Sequence, residues 1–540
     1  MPDSIAMVYA LLAILGLKIF IDFLARAKAR PPYPPGPKPK PLIGNIFDFP
    51  AAKPALCYVD WGKKYNSSIL YAEALGNRVL IVNNRDDAIE IFEKRARIYS
   101  DRPVIPILKL MGWQYNFAFF QYGEEWRQHR KISQQNFNLK ASQKYYPIQV
   151  KKVHQLLRAL HDTPEDFDTH NKMLSISLAM EMMYGLEVKS IQDPCVAIAD
   201  EAIKLGTDLL VPGSSLINTF PFLQHVPTWF PGATSRKQAD IVRCLTEEMI
   251  RIPVDKMKTA FEEGRAVPSF FTDFFEKKQN FGASKEEEQA MQNIAYTFYG
   301  VLLPIFCAQC FHQTISATGS FFYFMAVNPD VQKKAQAEID RVTGSTRLPT
   351  FNDRTSMPYV EAIYREVMRL RPPLPIGVPH RLIEDDYFKG YLIPEGTAVF
   401  ANIWAMTHDE AVYPDAFSFK PERFFDEEGV LNDDDRILAY GFGRRICVGK
   451  HIASSTMWLM IASVIACFDI TKSKDENGND IDINDDILDS GLLKWAPYCF
   501  SRPNVYSLDF LLPYLSQQAK FMCSFKVRSP AVKKLIVEGN

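Results

Sequence analysis

From Gln292 to Asn328 the chain carries no charged residue. As a helix this run is about 55 Å long at 1.5 Å per residue. Its Thr, Ser, Gln and His content and its internal Pro304 argue against a bilayer span. A helix through the centre of a large globule, kinked at Pro304, fits better. Such a centre needs a thick surround, and 540 residues at 47% hydrophobic and 13% aromatic can supply it. The patterns around it are mostly helical. "DDAIEIFEKRARIYS" opens on an acidic first turn, "GEEWRQHRKISQQNF" is amphipathic, and "PDVQKKAQAEIDRV" resumes behind Pro329. "SSILYAEALGNRVLIVNN" reads as a hairpin turning at Gly76-Asn77, and a short β region spans Tyr387 to Ala405. The predicted class is mainly α with small β-sheets.

The N-terminus is a separate unit. Ile5 to Leu17 is unbroken apolar sequence and the pattern extends to Ala25, enough for roughly 20 residues of spanning helix. Lys18 and Asp22 sit four apart near its end, where they can pair. A cleaved signal peptide would carry a positive n-region and a small-x-small cleavage site; this segment has Asp3 and no clear site. We read residues 1–25 as a transmembrane anchor. Arg26, Lys28 and Arg30 then place the rest of the chain in the cytosol, so the Asn66 sequon stays unglycosylated. Residues 26–41, basic and proline-rich, read as a stiff linker. Residues 42–540 are expected to form one globular domain. With 62 basic and 63 acidic residues the net charge is −1, which argues against a nucleic-acid partner. Nine scattered cysteines suggest a reducing compartment with mostly free thiols.

The chemistry concentrates in "AYGFGRRICVGKHIASSTMWLMIASVIACF", Ala439 to Phe468. Cys447 lies among Gly441, Gly443 and Gly449, just before an apolar helix expected to begin near Lys450. Glycines let main chain pass close to a flat ligand and adopt positive φ. A helix N-terminus, with Arg444 and Arg445 nearby, lowers a thiol's pKa and prepares an anionic metal ligand. A cysteine buried in a turn is the alternative.

Aromatic-x-x-Gly-x-Arg-x-Cys-x-Gly, here Tyr440, Gly443, Arg445, Cys447 and Gly449, resembles the heme-ligand loop of the cytochrome P-450 family, with tyrosine where phenylalanine is usual. "YREVMRLRPP" supplies Glu366 and Arg369, similar to that family's Glu-x-x-Arg helix, and "FKPERF" supplies Arg423, the third member of its charge triad. Trp126 and Arg130 in "EEWRQHR" and His380 in "GVPHRL" match its heme-propionate contacts. The resemblance runs in order from Pro35 onward. It implies the cytochrome P-450 fold behind one N-terminal transmembrane helix, with heme b on the Cys447 thiolate. It also implies monooxygenation of a hydrophobic small molecule. Electrons would come from NADPH through the flavins of a separate cytochrome reductase, at the endoplasmic reticulum membrane with the catalytic domain cytosolic.

"PIFCAQCFHQT" falls where this family places its oxygen-activation segment, usually Ala-Gly-x-acid-Thr-Thr. Here Gln309 and Cys310 replace the small pair, His312 the acid and Gln313 the first threonine, while Thr314 is kept. A metal clasp of Cys307, Cys310 and His312 is disfavoured because these positions share no helix face well. Two readings stay open: core residues with the role lost, or a proton relay through His312, Gln313 and a water, since histidine titrates near neutrality. We favour the relay, with His312, Gln313 and Thr314 as catalytic candidates. The departure also leaves a heme-thiolate isomerase or dehydratase, or an inactive heme-binding paralogue, as alternatives.

"LMGWQYNFAFF" and "PLPIGVP" are apolar and aromatic, and the resemblance puts both near the substrate. The wording of "NIWAMTHDEAVYPD" looks most like the fungal, mushroom-type branch of secondary metabolism, which implies a terpenoid first and an aromatic or alkaloid substrate second. Residues 499–520 interrupt what this family makes a pocket-lining hairpin, and read as an atypical insertion, either genuine or a translated intron.

Overall fold

The computed structural model describes residues 31–50, 53–210, 215–300, 312–483, 487–488, 517–518 and 523–538. The expected anchor, Pro304, Cys307, Cys310 and residues 499–516 lie outside them. Ten strands are described: β1 (Ile69–Ala74), β2 (Asn77–Val82), β3 (His380–Arg381), β4 (Asp386–Phe388), β5 (Tyr391–Ile393), β6 (Ala398–Ala401), β7 (Phe468–Lys472), β8 (Ile487–Leu488), β9 (Gln517–Gln518) and β10 (Cys523–Val527). The helices that build the site are α1 (Glu124–Phe137), α2 (Phe167–Tyr184), α3 (Lys285–Gly300), α4 (His312–Val327), α5 (Pro358–Leu370) and α6 (Lys450–Cys467).

Helices dominate, as expected, and the largest sheet has the order β1-β2-β6-β3, with β2 and β6 parallel. The hairpin turns at Leu75-Gly76, one residue earlier than predicted. Both take positive φ, 48° and 79°, and Asn77 already pairs with Ala74. The proline segment, expected as a stiff spacer, has no helix over residues 31–40 and packs on the sheets. Tyr71 donates its N–H to Pro35 O, Leu392 donates to Pro32 O, and Tyr33 stacks on Tyr71 at 4.9 Å. Carbonyls of a proline-rich strand still accept bonds although its prolines donate none. β8 pairs with β9 across the segment containing most of the atypical insertion, of which Gln517 and Gln518 fall in β9.

The uncharged run does form core. In α4, Ser316, Thr318 and Ser320 are buried, and Ser320 Oγ donates back to Ser316 O. Asn171 of α2 donates to Ile315 O and accepts from Thr318. Local bonds of this kind let hydroxyls and an amide sit among phenylalanines without stranded polar atoms. Among the described residues α6 alone is long and apolar enough to cross a membrane, yet 78% of that stretch is buried inside the protein. It is a core helix, hydrophobic all round because neighbours surround it.

"DDAIEIFEKRARIYS" is not one regular helix. Arg85–Ile89 is α-helical, Glu90–Lys94 widens to a π turn in which Arg95 N–H reaches Glu90 O, and Ala96–Tyr99 resumes. The wide turn carries Phe92 beneath the Cys447 loop, 4.6 Å from the His380 ring and 5.8 Å from Phe442. Single π turns often sit at functional sites.

Candidate active site

Cys447 follows a short 3-10 turn, Gly443–Arg445, and precedes α6, which begins at Lys450 as predicted. The Cys447 N–H donates to Tyr440 O at 2.9 Å and closes the loop. Gly443 has φ +56°, and a Cβ there would lie 2.0 Å from Phe92 O. Its glycine is therefore required by the close approach of the π turn, not by a flat ligand. Gly449 takes an ordinary φ of −83°, and its carbonyl accepts the Ala453 N–H inside α6.

Trp126 and Arg130, four apart on α1, face this loop. Arg130 donates to Ile446 O at 2.6 Å. Arg445 donates to Ser100 O and Phe120 O, with its guanidinium 4.2 Å from the Trp126 ring centre. His380 on β3 is buried, with Nδ1 2.7 Å from Tyr99 O. A third guanidinium, Arg102, escaped the sequence reading. It is 3% exposed and donates to Ala118, Val378 and Pro379 carbonyls. Two clefts share Arg102, Arg445 and Cys447 as walls. Trp126 and Arg130 line the first, and His380 and Tyr440 the second.

Among the described residues the hydrogen bonds of these three guanidiniums go to main-chain carbonyls and none to a carboxylate. Arg130 Nε and Arg445 Nη1 are buried without any partner. Burial, then mutual repulsion with Arg102, pushes Arg445 down to about 8; burial pushes Arg102 down to about 9, against a small upward pull from Asp101. Burial also lowers Arg130, and burial with the Arg102 charge holds His380 well below the usual imidazole range. Asp101 acts on Arg102 and Arg445 through space, but no described carboxylate hydrogen-bonds any of the three cations, which leaves room for a further anion. A flat group with two carboxylates, ligated by a sulfur, fits this donor set.

The predicted charge triad is assembled separately. Glu366 is fully buried and binds Arg369 at 2.6 and 2.9 Å and Arg423 at 3.0 Å; it also accepts Lys420 N–H. His312, Gln313 and Thr314 form the first turn of α4, and their side chains lie outside the described structure. Among the described residues no cluster of three His, Cys, Asp or Glu could hold a metal, and six cysteines form no disulfide.

The family model for cytochrome P450 matches residues 34–494. The chain belongs to the cytochrome P450 family. Cytochrome P450 monooxygenase ple1 of Rhodocybe pseudopiperita is 37% identical over 483 residues, covering 88% of this chain and 90% of the relative. Cytochrome P450 monooxygenase 98 of Postia placenta is 34% identical over 518 residues, 95% of this chain and 94% of the relative. Tryptamine 4-monooxygenase of Psilocybe cyanescens is 34% identical over 466 residues, 85% and 90% respectively. The protein is a P450 monooxygenase, and membership implies heme iron on a cysteine thiolate.

Proposed function

We propose that the Cys447 thiolate would hold the heme iron. Arg102, Trp126, Arg130, His380 and Arg445 then meet the heme propionates, and the substrate is a hydrophobic secondary metabolite, a terpenoid first. The observation that carries this is the set of three guanidiniums, Arg102 buried and Arg130 and Arg445 half-buried, whose described hydrogen bonds go to carbonyls beside Cys447. Bound heme supplies dioxygen activation, which a thiolate ligand favours. The arginines neutralise its carboxylates, and Trp126 stacks on Arg445 and fixes its plane. His312, with Gln313 and Thr314, holds and passes a proton at the start of α4. Glu366, Arg369 and Arg423 are architectural.

Electrons come from an NADPH-dependent reductase, and the protein sits on the endoplasmic reticulum membrane. Leu216, Phe222, Trp229 and Phe230, 50–77% exposed along one short segment, support an apolar surface as neighbour. The tryptamine-named relative favours a second substrate reading, an indole amine.

The test is co-expression with a fungal reductase, feeding of sesquiterpenes and of tryptamine, and product analysis by mass. Oxygenated terpenes support the first reading and a hydroxyindole the second. The Cys447→Ser variant must lose the red-shifted band of the reduced, carbon monoxide-bound protein. A band that survives overturns the ligand assignment.

A further inference from the structure

The aromatic segment Trp113–Phe119 consists of two short 3-10 turns, Trp113–Tyr115 and Phe117–Phe119, joined at Asn116. Hydrogen-bond geometry in such turns is poor, so what fixes their position comes from other elements. Trp113 is buried and donates its Nε1–H to Thr246 Oγ1 at 2.9 Å, on the helix Thr234–Glu262. The second turn depends on α3. Phe117 opens that turn, so its N–H has no partner within it. It donates instead to Thr297 Oγ1 at 3.3 Å, and Thr297 Oγ1 donates to Tyr115 O at 3.3 Å. Both directions are settled by chemistry, because an amide N–H only donates and a carbonyl only accepts. One buried threonine therefore ties the end of the first turn to the start of the second.

His129 of α1 seats the same turn. Its ring lies 5.9 Å from the Phe117 ring and 4.9 Å from the Phe120 ring. His129 Nδ1 is 2.7 Å from Glu125 O, which only accepts, so Nδ1 carries the hydrogen. Burial pushes this imidazole down, and in the neutral form its Nε2 is bare. Nε2 accepts from Asn293 Nδ2 at 3.1 Å, while Asn293 Oδ1 accepts from Gln289 Nε2 at 2.9 Å. Asn293 and Thr297 stand four apart on α3, on one face. That face grips α1 through one side chain and the aromatic turns through the other, and the Phe117 and His129 rings join the two. Thr297, Phe117 and Phe298 are also walls of the cleft that Cys447 lines.

We propose that Thr297 is a positioning residue: its hydroxyl, supported by the Asn293–His129 pair, holds Phe117 as a fixed wall of the substrate cleft and so sets how an apolar substrate lies against the heme. The proposal rests on the reading that this cleft takes heme and substrate. An apolar molecule offers few polar handles, so the shape of the walls decides its orientation. A misplacement of about 1 Å at a reacting centre costs roughly 100-fold in rate.

The experiment uses the heme-loaded protein and three variants. Thr297→Val keeps the volume and removes the hydroxyl, Thr297→Ser keeps the hydroxyl, and His129→Phe keeps a ring and removes the acceptor. Two readouts need no known substrate. Hydrogen exchange of the Phe117 amide reports the bond itself. Spectral titration with imidazole and with 4-phenylimidazole, which bind iron through nitrogen, reports the wall, since only the second carries a further ring into the cleft. In Thr297→Val the Phe117 exchange should quicken and the 4-phenylimidazole Kd rise about 2- to 10-fold, the worth of one hydrogen bond, with the imidazole Kd unchanged. Thr297→Ser should match the wild type in both, and His129→Phe should follow Thr297→Val by a smaller amount. Unchanged Phe117 exchange in Thr297→Val overturns the bond, and faster exchange with an unchanged 4-phenylimidazole Kd overturns the positioning role. Imidazole weakened in step with 4-phenylimidazole means general damage to the site and overturns the role as well. A wild-type protein without the red-shifted carbon monoxide band fails at the Cys447 assignment and takes the role with it, whatever the Phe117 exchange.

Discussion

Two groups of largely enclosed arginines can be set side by side, and they differ in what holds them. Arg369 and Arg423 share Glu366, so their charge is met within the protein at 2.6 to 3.0 Å. Arg102, Arg130 and Arg445 have only carbonyl dipoles as partners, with two nitrogens left bare. The first group is complete in the polypeptide. The second would be completed by the carboxylates of the proposed heme. Burial alone therefore does not mark a ligand site; burial without a counter-charge does.

The sharpest way to break the contrast is Glu366→Gln. It leaves two guanidiniums around a neutral amide in a fully buried position, which costs about 3–5 kcal/mol. Urea unfolding should show that loss, and a loss under about 1 kcal/mol would contradict the reading that this carboxylate holds the group together. Arg130→Met probes the other side. It removes one charge-assisted bond to the anion, worth about 1.5–3 kcal/mol, so heme affinity should fall roughly 10- to 100-fold. The apoprotein should be no less stable, because an uncompensated cation has gone. Equal destabilisation of apo and loaded forms would place Arg130 with the structural group instead.

How far this contrast was readable from sequence depends on where partners come from. Glu366 and Arg369 stand three apart on one helix, a spacing that shows the pairing without a structure. Cys447 before an apolar run starting at Lys450 was legible for the same local reason. Arg102 was not. Its acceptors are carbonyls up to 277 positions away, and a carbonyl leaves no trace in side-chain identity. The positive φ of Gly443 was anticipated, but its cause, the Phe92 carbonyl, lies on a π turn whose acidic opening reads as ordinary helix. His312 to Thr314 stay legible only as a departure from a family pattern.

Each group also carries a buried histidine, which gives the finest test. His408 stacks on Trp404 at 4.1 Å, its Nδ1 lies 2.9 Å from Trp404 O, and burial first, then the Arg369 charge, holds it at about 4. His380 is depressed by burial and by Arg102 and Arg445. Below pH about 6.5 the unfolded imidazoles take protons that the folded ones refuse, so stability falls as the pH drops from there toward each folded value. For His408 the loss by pH 5 is about 2 kcal/mol. The Glu366 group carries its own carboxylate and does not face the proposed heme site, so this part should be the same with or without heme. The His380 part should shrink on heme loading, because anionic carboxylates beside Arg102 and Arg445 offset the repulsion that keeps the ring neutral. Unfolding free energies of both forms at pH 7 and pH 5 separate the two. Identical pH dependence in apo and loaded protein would mean that the carbonyl-held arginines do not receive the heme's charge.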